Sequence, residues 1–435
     1  MPIRICYRTL PANLEGRISR YKLLMSAFGK VRRCLIPIPV LFAVSTVSAP
    51  AYEDIPDIAL TDVVSPAEAQ SVHHRIEEMA VQGNFFHFTV DSEFGIYRVP
   101  SLALLHIRIE EIKILGEAIA QFEREKDTLE ELPGQLRVSA DSAMEIITNP
   151  LGTATSAAGQ LARNINDTLS GVPVDMEIAR QYGYEQNAKL DPSTLMHKRN
   201  IANQWRLDVY STNPKVQEFL NTVARARSSG RIASGTPALI APSKRDKKAV
   251  DQDIEIQLRT LFKKKTRADL HAINDRLLEK MQVPEYLRSR FLRMAVYTPS
   301  QRTRITHYLS KLNGVIGRAA FFEGAAGADS EQAACAMQES AMMLARYQGL
   351  YGNIQKIYFG ETLQAVTGDN RIVSFIPVDI TYWSENTAGV FSRQVARART
   401  AGYSGWELVS TGILTEEAGK ELSSRGFIIK EKFLD

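Results

Sequence analysis

The chain has 435 residues, 44% of them apolar and 23% charged, with a formal net charge of +4. This is the balance of an ordinary globular protein, long enough for two or three domains with real cores. The positive sum sits at the start: residues 1–51 hold eight of the 53 basic residues and one of the 49 acidic ones, so the other 384 residues are net −3 and give no ground for nucleic-acid binding.

Met25 to Ala51 has the layout of a secretory signal peptide. Lys30, Arg32 and Arg33 precede an apolar run from Cys34 to Val47, and Ala49-Pro50-Ala51 supplies small residues at the spacing a signal peptidase reads. The run is shorter than the ~20 residues a membrane-spanning helix needs. Pro50 disfavours cleavage after Ala49, so cleavage is expected after Ala51, with an uncleaved anchor as the alternative. Residues 1–24 are unusually long and basic for an n-region, which suggests Met25 as the true start. Removal of the leader takes Cys6 and Cys34 with it and leaves Cys335 alone, in an apolar AACAM context with no basic neighbour to activate it. The expected location is the periplasm or cell envelope. No stretch after residue 51 is apolar enough to span a bilayer.

From residue 52 the chain is extended to about 64. Ser65-Pro66-Ala67-Glu68 then carries a capping box with proline at the first helical position, and predicts a helix to about Gln82, ended by Gly83. On such a helix His73/Glu77 and His74/Glu78 would be one turn apart. No third ligand is fixed by spacing, so a solvated face is expected in preference to a metal site. Phe86, Phe88 and Val90 alternate with polar residues and are followed by Phe94-Gly95-Ile96-Tyr97-Arg98-Val99, a β-hairpin over 84–99 with His87 on its polar face. Pro100 opens a long helix to about Leu132. Its stripe is Leu102, Leu105, Ile109, Ile112, Leu115, Ile119 and Phe122, and its wet side is Glu110, Glu111, Lys113 and Glu117.

Residues 139–170 carry a narrow apolar stripe at alternating spacings of three and four, suited to packing against protein or, less well, to a membrane surface. Asn213-Pro214 marks another helix start, flanked by Trp205 and Tyr210. Residues 228–243 read as a linker, separating a helical region with a hairpin (52–227) from a second helical region (244–348). The latter opens basic, with 16 Lys/Arg against eight acids over 244–304 and runs at 244–248 and 263–267. A solvated face, anionic lipid headgroups or an acidic partner would each suit such runs. Helices are expected over about 250–281, 284–296 and 299–325, then a final one capped by Ser330 and apolar nearly all round.

At about residue 353 the texture becomes α/β. Two strand-like runs, IQKIYFGETLQAV and RIVSFIPVDITYW, precede a helix from Ser384, the strand GWELVSTG, a helix from Thr415 and a last strand FIIKEKF. The order ββαβαβ over 349–435 predicts that the last three strands are parallel. The fold class is therefore α+β: a mainly helical N-terminal two-thirds with one hairpin, then a small α/β domain. Ligands of open parallel sheets bind beyond the carboxyl ends of strands. That makes Asp379, Tyr382, Trp383 and Thr411 the candidate binding residues. As acid or base, stacking platform and hydroxyl donor they suit a ligand; their plainer roles are loop hydrogen bonding and core packing.

No nucleophile elbow, phosphate loop, zinc helix or Cys pair is present, and nothing points to a cofactor or metal. Four segments, FGIYRV (94–99), DVYSTNP (208–214), AVYTPSQRT (295–303) and TGILTEEAGKELSSRGF (411–427), resemble a family of uncharacterised exported bacterial proteins. That resemblance implies export and a shared fold, and transfers no catalytic residue. The favoured expectation is a non-catalytic binding or scaffolding protein with a protein partner in the envelope. The alternatives are an envelope hydrolase or transferase using Asp379, and a peripheral membrane protein using 139–170 and the basic 244–267 region.

Overall fold

Short-range pairing of Phe85–Ser92 explains the first departure from expectation. The computed structural model describes residues 52–129, 190–229 and 249–435. The leader, the striped segment 139–170, residues 230–243 of the linker and the 244–248 basic run lie outside them. The capping box forms, with the Glu68 carboxylate accepting from both Ser65 N–H and Ser65 Oγ. Its helix is one turn, α2 (Pro66–Ala69), preceded by α1 (Leu60–Val63).

The rest of the expected helix is strand β1 (His74–Gln82), paired antiparallel with β2 (Phe85–Ser92), which pairs with β3 (Gly95–Val99). Gly83, at φ +60, makes the turn instead of ending a helix. Here tertiary pairing overrides a local pattern that both periods fit. The expected one-turn His/Glu pairs therefore do not exist. His73 instead meets Glu93 at 2.6 Å, and His74 bonds Ser71 Oγ and the Glu68 carbonyl. The His73–Glu93 pair lies on Gly116, where an added Cβ would come within 2.3 Å of the His73 ring. His87 is half-buried.

Helix α3 (Leu102–Leu129) lays Leu105, Ile109 and Ile112 on this sheet against Phe86, Phe88 and Val90. Farther along, Ile114, Leu115 and Ala118 join a second core made by α4 (Pro192–Gln204) and α5 (Pro214–Ser228). Trp205 anchors that core, edge-on to Phe219 at 6.1 Å. Asn213 caps α5 by accepting from Lys215 N–H at 3.0 Å, with Pro214 at the first helical position.

The basic region forms α6 (Ala249–Lys264), α7 (Arg267–Lys280), α8 (Glu285–Arg293), α9 (Pro299–Ser310) and α10 (Arg318–Ala325). Two expected helices are thus each divided. Thr266 and Asp269 form a capping box that restarts the chain after Lys265, and Gly317, at φ +81, turns it before α10. Ser330 caps α11 (Glu331–Tyr351), which buries Ala334, Met337, Ala341, Met343 and Leu344.

The last part is a sheet of β4 (Ile354–Phe359), β5 (Leu363–Thr367), β6 (Arg371–Ile376), β8 (Gly405–Ser410) and β10 (Phe427–Lys430), in spatial order β10-β8-β6-β5-β4. As expected, β6, β8 and β10 are parallel. The run 354–366 is two antiparallel strands, because Gly360 turns back to bond the Thr362 carbonyl. A two-stranded parallel pair, β7 (Ile380–Thr381) with β9 (Ile413–Leu414), was also not anticipated.

Neighbouring residues of β8 show the layers. Leu408 faces a core with Phe391 of α12 (Glu385–Thr400) and Leu422 of α13 (Glu416–Ser424), while Val409 faces Tyr347 and the bundle on α11. One hydrophobic core therefore runs from α6–α11 into the sheet without a break. The described residues belong to one compact unit beginning at Tyr52.

Candidate functional site

The strand-end residues of the C-terminal sheet are built into the fold. The segment carrying Asp379 lies on the turn between β1 and β2: Asp379 and Ile380 N–H both donate to the Asn84 carbonyl, and Asn84 Nδ2 donates to the Ile380 carbonyl. Asp379, 6% exposed, accepts from Phe86 N–H at 3.0 Å and from Leu102 N–H at 2.8 Å, both on Oδ2. It thus holds the start of β2 and the first turn of α3 together, which favours its ionised form. Burial outweighs that and pushes its carboxyl up to about 6.

Thr411 Oγ1 donates to the Val378 carbonyl at 3.0 Å, and Trp383 is fully buried with the Arg425 guanidinium 4.4 Å from its ring centre. Tyr382 is half-buried beside them. The structure brings all four into one corner, three of them as hydrogen-bonding or packing elements. Gly412 closes that corner: a Cβ there would lie 1.9 Å from the Asp379 carbonyl oxygen. Gly412→Ala must displace backbone, so it is expected to lower stability by about 2 kcal/mol or more, read as a fall in the denaturation midpoint. An unchanged midpoint would refute the close approach.

Glu339 was missed in the sequence, because nothing local connects α11 with residue 379. It is half-buried, and burial together with the charges of Asp379 and Asp435 pushes its carboxyl up to about 8. Both carboxyls have folded pKa values above their unfolded ones. Their stabilising contribution is full below about pH 4 and is lost as the pH rises through about 6 for Asp379 and about 8 for Glu339. Glu339→Gln is therefore expected to raise stability at pH 8.5 by about 2 kcal/mol and to leave it unchanged at pH 4. Thermal melts at the two pH values would check this, and an equal effect at both would exclude the linkage. Cys335, one turn earlier on α11, is buried, and burial with nearby Glu339, Glu331 and Asp379 suppresses its thiolate. It is a poor nucleophile.

A second polar centre lies where α3, the 208–214 turn and α11 meet. Arg108, 3% exposed, donates to Glu111 Oε2 at 2.7 Å and to Glu331 Oε1 at 2.8 Å, and also bonds Thr212 Oγ1. Ser211 Oγ donates to Glu111, and Asn213 Nδ2 donates to Glu111 Oε2 at 3.1 Å. Glu111, expected on the wet side of its helix, is 5% exposed, because the guanidinium and the 211–213 turn cover it. Burial opposes the charge on Arg108, but Glu111 and Glu331 outweigh it and hold the guanidinium above its ordinary range. This accounts for Ser211, Thr212 and Asn213 in DVYSTNP as parts of a structural network.

A cleft of about 380 Å³ opens between α7, α8 and α9. Helix α7 contributes Arg267, Leu270, His271 and Asn274 from one face. Leu292 and Arg293 come from the end of α8, then Ala295, Pro299 and Arg302 from the turn into α9. The local sequence builds it. Thr298 and Gln301 form a capping box, Pro299 takes the first helical position, and Tyr297 OH donates to the Ala325 carbonyl at 2.7 Å. Arg302 is 8% exposed and donates to the carbonyls of Leu292, Met294 and Tyr297, which fix its guanidinium.

Arg293 and His271 are exposed and have no partner among the described residues. Asn274 is 2% exposed; its Nδ2 donates to Thr303 Oγ1 at 3.0 Å and its Oδ1 is buried without a donor. The basic run and AVYTPSQRT are visible separately in the sequence. Their meeting depends on how three helices pack.

Among the described residues, no group of His, Cys, Asp and Glu could hold a metal ion, and no helix is long and apolar enough to cross a membrane. No family model, curated protein or solved structure matches the chain.

Proposed function

We propose that this is an exported, envelope-associated binding protein that works without catalysis, and that the cleft between α7, α8 and α9 is its working surface. The observation that carries this reading is the contrast between the Asp379 corner and the cleft. Asp379 spends its carboxylate on main-chain N–H groups, whereas the cleft presents fixed and exposed cations to solvent. The signal-peptide layout of residues 25–51 supports export. Fractionation of the native host with intact mass measurement tests that part: a soluble periplasmic species beginning at Tyr52 is expected, and a full-length species in the membrane pellet would reject it. Turnover of any substrate by purified protein, abolished by one polar substitution, would reject the non-catalytic part.

Peripheral membrane contact is the second reading. Lys263, Lys264, Lys265 and Arg267 are exposed at the junction of α6 and α7, a basic corner suited to anionic headgroups. Flotation with anionic liposomes at low salt would support it, and failure to float would remove it.

A further inference from the structure

The cleft has a definite chemistry. We propose that it takes a compact oxyanion, a carboxylate or phosphate, carried on a short apolar body. The inference rests on the binding reading for its choice of surface.

Charge is the first argument. Arg267, Arg293, Arg302 and His271 line the cleft, and no acidic side chain does. A guanidinium bonds a carboxylate or phosphate through two parallel N–H groups, which an ammonium cannot do. Pre-organisation is the second. Arg302 is held by three main-chain carbonyls that take up most of its N–H groups, so it adds a fixed positive charge to the cleft wall, while the two-point contact falls to the exposed Arg293. Pro299, at the first helical position of α9, lies on the cleft wall, so the positive end of that twelve-residue helix adds to the field.

Exposure is the third argument. Arg293 and His271 have no partner among the described residues, so an incoming anion need not displace one.

The remaining lining limits the rest of the ligand. Leu270, Leu292, Ala295 and Pro299 add apolar surface to the cleft. A volume of about 380 Å³ is near the lower end for small-molecule pockets. It holds a short-chain acid or a phosphate ester. It does not hold a folded partner.

Calorimetric titration of the purified protein at low salt tests this, with succinate, inorganic phosphate and glycerol 3-phosphate as probes and glycerol as the neutral control. At least one anion is expected to bind with a stoichiometry of one, and glycerol is not. Arg293→Gln should weaken that anion about tenfold with no change in the melting temperature of the unliganded protein, because Arg293 is exposed and unpartnered. Arg293→Lys should recover only part of the loss.

Phosphatidate vesicles distinguish a lipid source from a free one. Flotation that Arg293→Gln abolishes, without binding of the soluble anions, keeps the oxyanion site and assigns it to a headgroup. No binding of any of these probes, or equal binding by Arg293→Gln, overturns the proposal. A protein partner captured despite that result would leave the binding reading standing, whereas turnover with the cleft still binding anions would overturn the reading and leave the site.

Discussion

Asp379→Ala is expected to lower the unfolding free energy by about 2–4 kcal/mol, because it leaves the N–H groups of Phe86 and Leu102 without an acceptor, at about 1–3 kcal/mol for each buried group. The two donors start different elements, β2 and α3, so the loss loosens the sheet and the helix packed on it together. Asp379→Asn keeps a carbonyl oxygen for both donors and removes a carboxylate that burial disfavours. It should therefore stay within about 1 kcal/mol of the parent at pH 7.5. Urea denaturation of the two variants separates anchoring from chemistry. If Asp379→Ala kept parental stability while abolishing a phenotype in the host, the anchoring role would fail and an active site at this corner would return to the front.

Arg108→Met is expected to be the most damaging change in the described residues, at about 3–5 kcal/mol, the range for removing one partner of a buried ion pair. Methionine matches the stem in volume, so the loss reads charge more than packing. Glu111 would be left at 5% exposure with only hydroxyl and amide partners, and Glu331 would lose its cation. Adding Glu111→Gln to Arg108→Met should return part of the loss, since a neutral amide suits the emptied site better than a carboxylate. The coupling from a double-mutant cycle should exceed about 1 kcal/mol. Additive effects of the two substitutions would mean that the network is not the joint it is described as.

Much of this fold was legible locally. Ser65 with Glu68, Asn213 with Pro214, and Ser330 all mark real helix starts, because a capping interaction spans only three or four residues. The hairpin alternation of Phe86, Phe88 and Val90 and the parallel order of β6, β8 and β10 also follow from short-range pattern and chain connectivity. The strand at 74–82 was not legible, since Ile76, Met79 and Ala80 fit a helical spacing and only pairing with 85–92 decides the matter.

The polar centres were hidden for another reason. Arg108 finds Thr212 and Glu331 at separations of 104 and 223 residues, and Asp379 finds Phe86 at 293. Residue type made Asp379 conspicuous at a strand end, but its use was set by a turn in a distant part of the chain. The cleft gathers residues from three helices, so its parts could be read and their meeting could not.

The same corner bears on the order in which the chain completes itself. Glu53 N–H bonds the Trp383 carbonyl, and the Glu53 carboxylate accepts from Thr415 Oγ1 at 2.7 Å. The first residues of the described fold are thus secured by some of the last, as are the starts of β2 and α3 through Asp379. A chain emerging from the ribosome cannot make these contacts until residues 379–415 are synthesised, and such long-range closures are slow. The N-terminal sheet should therefore stay open to proteases in any nascent or C-terminally truncated chain.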